Sequence, residues 1–297
     1  MYYNENSFIC LNGKFVKAND SHGSLYSQTL HYGNGVFEGI RSYKTDAGTK
    51  IFRAEEHYQR LLFGADVMSI PFEYNTTALI DLSYKLLELN NLTDAYIRPI
   101  ITTPPSMGLL TPDRSDLIIQ CWYWDKLMGD GLVKVMTSSY QRPNPKSCVV
   151  EAKVTGHYVN SILAKNEAKK AGFKEALLLD MNGNVAECSG ANIFMEKDGV
   201  LYTPPKGHIM AGITRSVVME ICKDEGIQVE ERFFNLEELK RADSAFVTGT
   251  AAEVAGLASL DDYNFPLNWT DSLGKRLSDL YQLEVLGKRS KHVSKVL

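Results

Sequence analysis

The chain has 297 residues, 44% of them hydrophobic and 23% charged, with a formal net charge of −4. That length suits two compact domains or one large one, and the balance is that of a globular protein with no disorder signature. A small negative charge argues against a nucleic-acid or anionic-membrane partner, which calls for clustered Lys and Arg.

The polar start at residues 1–6, followed by a short apolar stretch at 7–11, lacks the charged region and sustained apolar core of a signal peptide. No apolar run approaches the roughly 20 residues of a membrane helix. Five scattered cysteines (Cys10, Cys121, Cys148, Cys188 and Cys222) form no C-x-x-C pair, and the six histidines show no H-E-x-x-H spacing. They read as reduced thiols in a cytoplasmic protein without a metal site.

Strands are predicted at residues 8–11 and 14–16 around Asn12-Gly13, a dipeptide suited to a type I′ turn. Helices follow at 55–69, ended by Pro71, and at 76–89, with Leu79, Leu82, Leu86 and Leu89 on one face. Residues 96–102 and 117–124 read as strands, and the polar, glycine-containing stretch 125–132 as an interdomain linker. Beyond it the pattern gives a strand at 133–138, a proline-rich loop at 141–147 and a helix at 160–171. Two hairpins follow, turning at Asn182-Gly183 and Asp198-Gly199. A helix at 214–225, a strand at 227–233, a short helix capped by Asn235 and strands at 244–249 and 253–257 complete the series. The class is α/β or α+β in two domains, a smaller one at 1–124 and a larger one at 133–297.

Four features could carry chemistry. Gly212-Ile213-Thr214-Arg215 leads into a helix, so Thr214 either caps that helix or helps its N–H groups to hold a phosphate. Thr248 to Ala252 is a small-residue strand end that reads as an anion-binding turn or as an ordinary one. Lys153 precedes a helix outside the solvated row of Lys165, Lys169 and Lys170; it is either a surface lysine or a nucleophile of lowered pKa. Glu187, among small and apolar neighbours, needs a cationic partner, which an arginine or a protonated pyridine nitrogen would supply. The run Gly33 to Gly39 is not G-x-G-x-x-G, so a dinucleotide fold is not expected.

Together these segments resemble the fold-type IV pyridoxal-phosphate (PLP) enzymes, and more narrowly the branched-chain amino acid aminotransferases. The matching pieces are His31-Tyr32-Gly33 through Phe37-Glu38-Gly39-Ile40-Arg41, Phe52-Arg53 with Glu56-His57, and Tyr96-Ile97-Arg98-Pro99. Later come Ala152-Lys153, Tyr158, Glu187 with Gly190 and Asn192-Ile193-Phe194, then 212–215 and 249–253. The resemblance implies a cofactor, pyridoxal 5'-phosphate, held between two domains as a Schiff base on Lys153, which would also move the proton at the substrate α-carbon. It implies Glu187 at the pyridine nitrogen, Tyr158 on the phenolic oxygen, and Arg53, Ile213, Thr214 and Thr250 on the phosphate. For substrate it implies Tyr96, Thr250 and Ala251 on the α-carboxylate, and Phe37, Gly39 and Trp124 around the side chain, with Tyr32 and residues 107–109 entering the pocket across a dimer interface. Arg98 would take the distal carboxylate of glutamate.

The implied activity is transfer of an amino group between L-leucine, L-isoleucine or L-valine and 2-oxoglutarate. The implied protein is a cytoplasmic homodimer or higher homo-oligomer whose partners are amino acids and 2-oxo acids. Leu127 stands where some relatives carry an aromatic hydroxyl, and a redox C-x-x-C is absent. Competing readings on the same fold are a D-amino-acid or (R)-amine transaminase and an aminodeoxychorismate lyase.

Overall fold

The computed structural model describes residues 2–124, 129 and 131–290, so most of the linker expected at 125–132, Leu127 included, lies outside the described residues. The chain falls into two compact units. The first takes in the N-terminal part up to Trp124 together with Ala152–Tyr158, and the second holds the rest.

In the first unit β1 (Phe8–Leu11) and β2 (Lys14–Lys17) form the hairpin read from Asn12-Gly13, whose φ values of 49° and 77° are those a type I′ turn requires. The helix α1 (Gln28–Tyr32) leads into β3 (Gly35–Phe37), β4 (Ile40–Thr45) and β5 (Gly48–Ile51). These three strands lack a long alternating pattern and are absent from the sequence reading. The helices α2 (Ala54–Val67) and α3 (Thr76–Leu89) match the predicted pair to within two residues. Asn75 caps α3 by accepting the Ala78 N–H at 2.9 Å.

With β6 (Ala95–Thr102) and β7 (Asp116–Trp122) the strands form a seven-stranded antiparallel sheet in the order β2-β1-β7-β6-β4-β5, with β3 on β6. One face meets α2 and α3 through Val36, Ile40, Ile97, Ile101, Leu117 and Ile119 against Tyr58, Leu61, Leu79 and Leu86. Because strand side chains alternate, Phe37, Tyr96, Arg98 and Trp122 lie on the other face.

Residues 152–158, which the sequence reading grouped with the C-terminal domain, pack in this unit. The Phe37 N–H donates to the Lys153 carbonyl at 3.1 Å and the Gly156 N–H to the Gly33 carbonyl at 3.1 Å. The Thr155 hydroxyl lies 2.6 Å from the Gly33 carbonyl and 3.2 Å from that of Gly35. Ala152 and Val154 sit in the first unit's core.

The second unit is a nine-stranded mixed sheet of β8 (Val133–Gln141), β9 (Glu175–Leu179), β10 (Val185–Cys188), β11 (Asn192–Lys197), β12 (Val200–Thr203), β13 (Val229–Glu231), β14 (Ser244–Gly249), β15 (Glu253–Leu260) and β16 (Tyr263–Asn264). Neighbours run β10-β9-β8-β15-β14-β11, and β10 also pairs with β11, so these six strands close into a ring. Val135, Leu177, Ile193, Val247 and Leu260 are fully buried in its core. Outside it, α4 (Tyr158–Lys170) packs Ala164 and Ala168 against Ala176 and Leu178.

The helix α5 (Ile213–Asp224) starts one residue earlier than its predicted position. The short α6 (Leu236–Leu239) has a full capping box between Asn235 and Glu238. The final helix, α7 (Leu273–Val285), is absent from the sequence reading, although Leu277, Tyr281 and Val285 recur every four residues and Ser272 caps it. No helix among the described residues is long and apolar enough to cross a membrane.

Thr155 is the side chain that ties the lysine-bearing segment to β3. Thr155→Val should lower stability by about 0.5–1.5 kcal/mol in chemical denaturation, because it removes the hydroxyl bond to the Gly33 and Gly35 carbonyls, while the Gly33 carbonyl keeps its backbone partners. Thr270→Val, at an exposed position, should change stability by less than about 0.5 kcal/mol.

Candidate active site

The expected site residues fall in two groups, one within each unit. In the first, β3 and β4 are separated by Glu38-Gly39. A Cβ on Gly39 would lie 1.8 Å from the Tyr96 hydroxyl oxygen, so only glycine lets that phenol approach the bend. Tyr96 packs edge-on against Trp124 at 4.7 Å and tilted against Trp122 at 5.4 Å. The Arg98 guanidinium lies 4.8 Å from the Phe37 ring centre and 5.3 Å from that of Tyr96, and its Nη2 donates to the Tyr96 hydroxyl at 3.3 Å. Since arginine only donates, the phenolic proton of Tyr96 remains available to an incoming acceptor.

Lys153 Nζ donates to the Tyr158 hydroxyl and lies 5.1 Å from the centre of the Phe37 ring. Phe37 in turn meets Tyr158 edge-on at 4.7 Å. The structure therefore brings Phe37, Gly39, Tyr96, Arg98, Trp124, Lys153 and Tyr158 into one connected set. Tyr32, at the end of α1, is set apart from it: it is half-exposed and its hydroxyl donates to the Met107 carbonyl at 3.3 Å. Arg53 stands ahead of α2 at φ 51° and pairs with Glu56 at 2.8 Å.

Next to Phe37 and Gly39 lies a charge cluster absent from the expected site residues. Glu38 is fully buried and accepts from Arg60 Nε at 2.6 Å, Arg60 Nη2 at 2.9 Å and His57 Nδ1 at 2.8 Å. Burial works against the charge on Glu38, but Arg60 and His57 outweigh it and hold the carboxyl well below the usual carboxylate range. His57 is pulled below the usual histidine value chiefly by burial, with Glu38 opposing and the charges of Arg60 and Lys153 adding to the effect. A neutral His57 donates its Nδ1–H to the carboxylate.

In the second unit Glu187 is buried, and the cationic partner its position demanded is Arg142: Nε lies 2.9 Å from Oε1. Oε1 also accepts the Met210 N–H at 3.0 Å, and Oε2 accepts Asn192 Nδ2 at 3.0 Å. Asn192 Nδ2 donates as well to the Met210 carbonyl at 2.9 Å, and a Cβ on Gly212 would strike Asn192 Oδ1 at 1.9 Å. This amide therefore holds the carboxylate against the segment that enters α5.

The structure corrects the cap reading of Thr214. Gly212 occupies the cap position without a side-chain bond, and Thr214 is the second helical residue, buried. The helix begins with N–H groups that no side-chain cap covers, the arrangement an anion prefers. Thr248, paired with Asn192 in the ladder, is fully buried with its hydroxyl unpartnered among the described residues. Thr250 and Ala251 form the tight turn that follows, from β14 into β15.

Residues 35–260 match the amino-transferase class IV family. The branched-chain-amino-acid aminotransferase of Pseudomonas aeruginosa is 37% identical over 290 residues, covering 96% of this chain and 94% of that protein. Among solved structures, the branched-chain aminotransferase of Thermoproteus uzoniensis with norvaline superposes with a TM-score of 0.92 at 34% identity, covering 96% of each chain. A T.th. branched-chain amino acid aminotransferase complexed with N-(5'-phosphopyridoxyl)-L-glutamate gives 0.90 at 36% identity, covering 96% of this chain and 95% of that one. The chain belongs to the class IV aminotransferases, in agreement with the resemblance carried by its motifs. Within that family it is similar to proteins named as branched-chain aminotransferases.

Arg142, Asn192, Arg60 and Trp122 were not singled out from sequence. Arg142 lay in a stretch that read as proline-rich loop, and Asn192 was noticed only as part of a motif.

The buried neutral His57 gives a pH signature. The unfolded chain protonates this ring below about pH 6.5 while the folded chain resists, so stability falls as pH drops through that region. Glu38, depressed when folded, adds a further loss only below about pH 4.5. In melting experiments between pH 7 and 5, His57→Asn should show a shallower loss than the unaltered protein.

Proposed function

We propose that the chain transfers an amino group reversibly between L-leucine, L-isoleucine or L-valine and 2-oxoglutarate. Pyridoxal 5'-phosphate would be held on Lys153, and the two half-reactions would run in ping-pong order. The observation that carries this reading is the Lys153 amine, hydrogen-bonded to Tyr158 beside an aromatic wall that includes one arginine, Arg98. The relatives' names, norvaline in one and the phosphopyridoxyl-glutamate adduct in another, support both the substrate class and the cofactor.

The residues fit that cofactor chemically: a positioned amine, a buried carboxylate compensated by arginine, and an uncapped helix start preceded by glycine. When bound, the cofactor supplies an electron sink for the pair left at the substrate α-carbon. In this reading Glu187 keeps the ring nitrogen protonated, and Arg142 and Asn192 hold Glu187 in place. Tyr158 holds the phenolic oxygen. Arg53, the N–H groups of Ile213 and Thr214, and Thr250 hold the phosphate.

Lys153, once free, would move the proton between the substrate α-carbon and the cofactor carbon across the connecting nitrogen. Tyr96 donates its phenolic proton to the α-carboxylate, joined by the Thr250-Ala251 backbone. Phe37, Gly39 and Trp124 surround the side chain, joined in the dimer by the partner subunit's Tyr32, and Arg98 meets the distal carboxylate of the dicarboxylate partner. The reading takes the enzyme to be a cytoplasmic homodimer. The exposed apolar side chains of Tyr32, Met107, Leu109 and Leu110 support an interface there.

Two outcomes test it. Borohydride treatment of the cofactor-loaded protein should fix the phosphopyridoxyl group on the peptide carrying Lys153, as read by mass spectrometry, and Lys153→Ala should retain none; label on another lysine would contradict the assignment. Gly39→Ala, which pushes the Tyr96 hydroxyl away, should raise the KM for L-leucine by roughly tenfold, the worth of one hydrogen bond to a charged group, without loss of cofactor.

A further inference from the structure

The open face of the first unit's sheet carries a cavity of about 530 Å³, lined by Arg98, Gln120, Trp122 and Trp124 and closed at one side by Tyr2 and Tyr3. Arg98 on β6 stands across from Gln120 on β7, and Tyr96 across from Trp122. Arg98 and Trp122 are therefore diagonal cross-strand neighbours on one face, within reach of each other for long side chains.

Both carry a buried donor with no partner among the described residues, Arg98 Nε and the indole Nε1 of Trp122. Such donors are costly and rare in native proteins and call for an explanation. Neither a guanidinium nor an indole can accept a hydrogen bond, so what answers them is an acceptor. A branched aliphatic side chain offers no acceptor, whereas a carboxylate offers two oxygens.

We propose that Trp122 is a specificity-determining residue whose indole N–H, together with Arg98, receives the distal carboxylate of a five-carbon dicarboxylate. The inference rests on the transaminase reading and adds to it the second donor that lets one pocket serve both substrate classes. The ring of Trp122 packs against Tyr96 and lines the cavity together with Arg98 and Trp124. The indole nitrogen is covered, so the carboxylate enters with a side-chain adjustment. Tyr2, packed edge-on against Trp122 at 5.3 Å and 67% exposed, is the wall residue with most freedom to turn aside.

The test uses the cofactor-loaded protein and two probes, glutarate and 4-methylpentanoate, titrated by calorimetry. Trp122→Phe should weaken glutarate roughly fivefold or more and leave 4-methylpentanoate within about twofold. Trp122→His, which keeps a ring N–H, should recover part of the loss. In steady state the KM for 2-oxoglutarate should rise several-fold more than the KM for L-leucine; an equal rise in both would contradict the proposal. In the unaltered protein, one of the three indole N–H signals should shift downfield in proton–nitrogen NMR with glutarate and stay in place with 4-methylpentanoate.

Equal weakening of both probes, no weakening of either, no indole shift, or no glutarate binding by the unaltered protein overturns the proposal. Failure of the transaminase reading looks different: no glutamate forms from L-leucine and 2-oxoglutarate, while the titrations remain readable.

Discussion

The first unit's chemistry hangs on the three residues of β3. Its outer ladder is β6, but its other side receives Ala152–Tyr158 through the Phe37–Lys153 and Gly33–Gly156 backbone bonds and the Val36–Val154 bridge. A segment more than a hundred positions later is thereby fixed beside Phe37, and its lysine meets Tyr158 and the Phe37 ring. The next residues, Glu38 and Gly39, turn the chain: the carboxylate is buried among Arg60 and His57, and the missing Cβ admits the Tyr96 phenol. Side chains from β3, β6 and residues 152–158 converge because the backbone leaves them no alternative path.

Two buried carboxylates, Glu38 and Glu187, are handled by the same physics. Each takes a close arginine and at least one further donor, since a lone buried charge is far too costly and a partly answered one little better. In Glu38 the compensation involves a histidine kept neutral. In Glu187 it involves Asn192, whose second donor bond runs to the Met210 carbonyl, tying the carboxylate to the chain that enters α5. Both arrangements fix the carboxylate's position through several bonds at once.

Much of this was legible in the residues. The helices at 54–67 and 76–89, the hairpin at Asn12-Gly13 and the cap at Asn235 follow from periodicity and turn chemistry, and the structure holds all of them. What escaped is of two kinds. The strands β3 to β5 are too short and too interrupted for alternation to show, although they carry Phe37. Arg142, Asn192, Arg60 and Trp122 act through partners brought near only by the fold, and no local spacing reports that. Of the two readings open for Thr214, the cap falls because the helix starts one residue earlier, at Ile213, which leaves its N–H groups without a side-chain cap.

The most direct test of the account is spectroscopic. The cofactor-loaded protein should be mixed separately with L-leucine and with D-alanine while the cofactor's visible absorption is followed. Loss of the band with L-leucine alone is the expected result. Loss with D-alanine alone would leave Lys153 and Glu187 standing but contradict the pocket built from Phe37, Tyr96, Arg98 and Trp124.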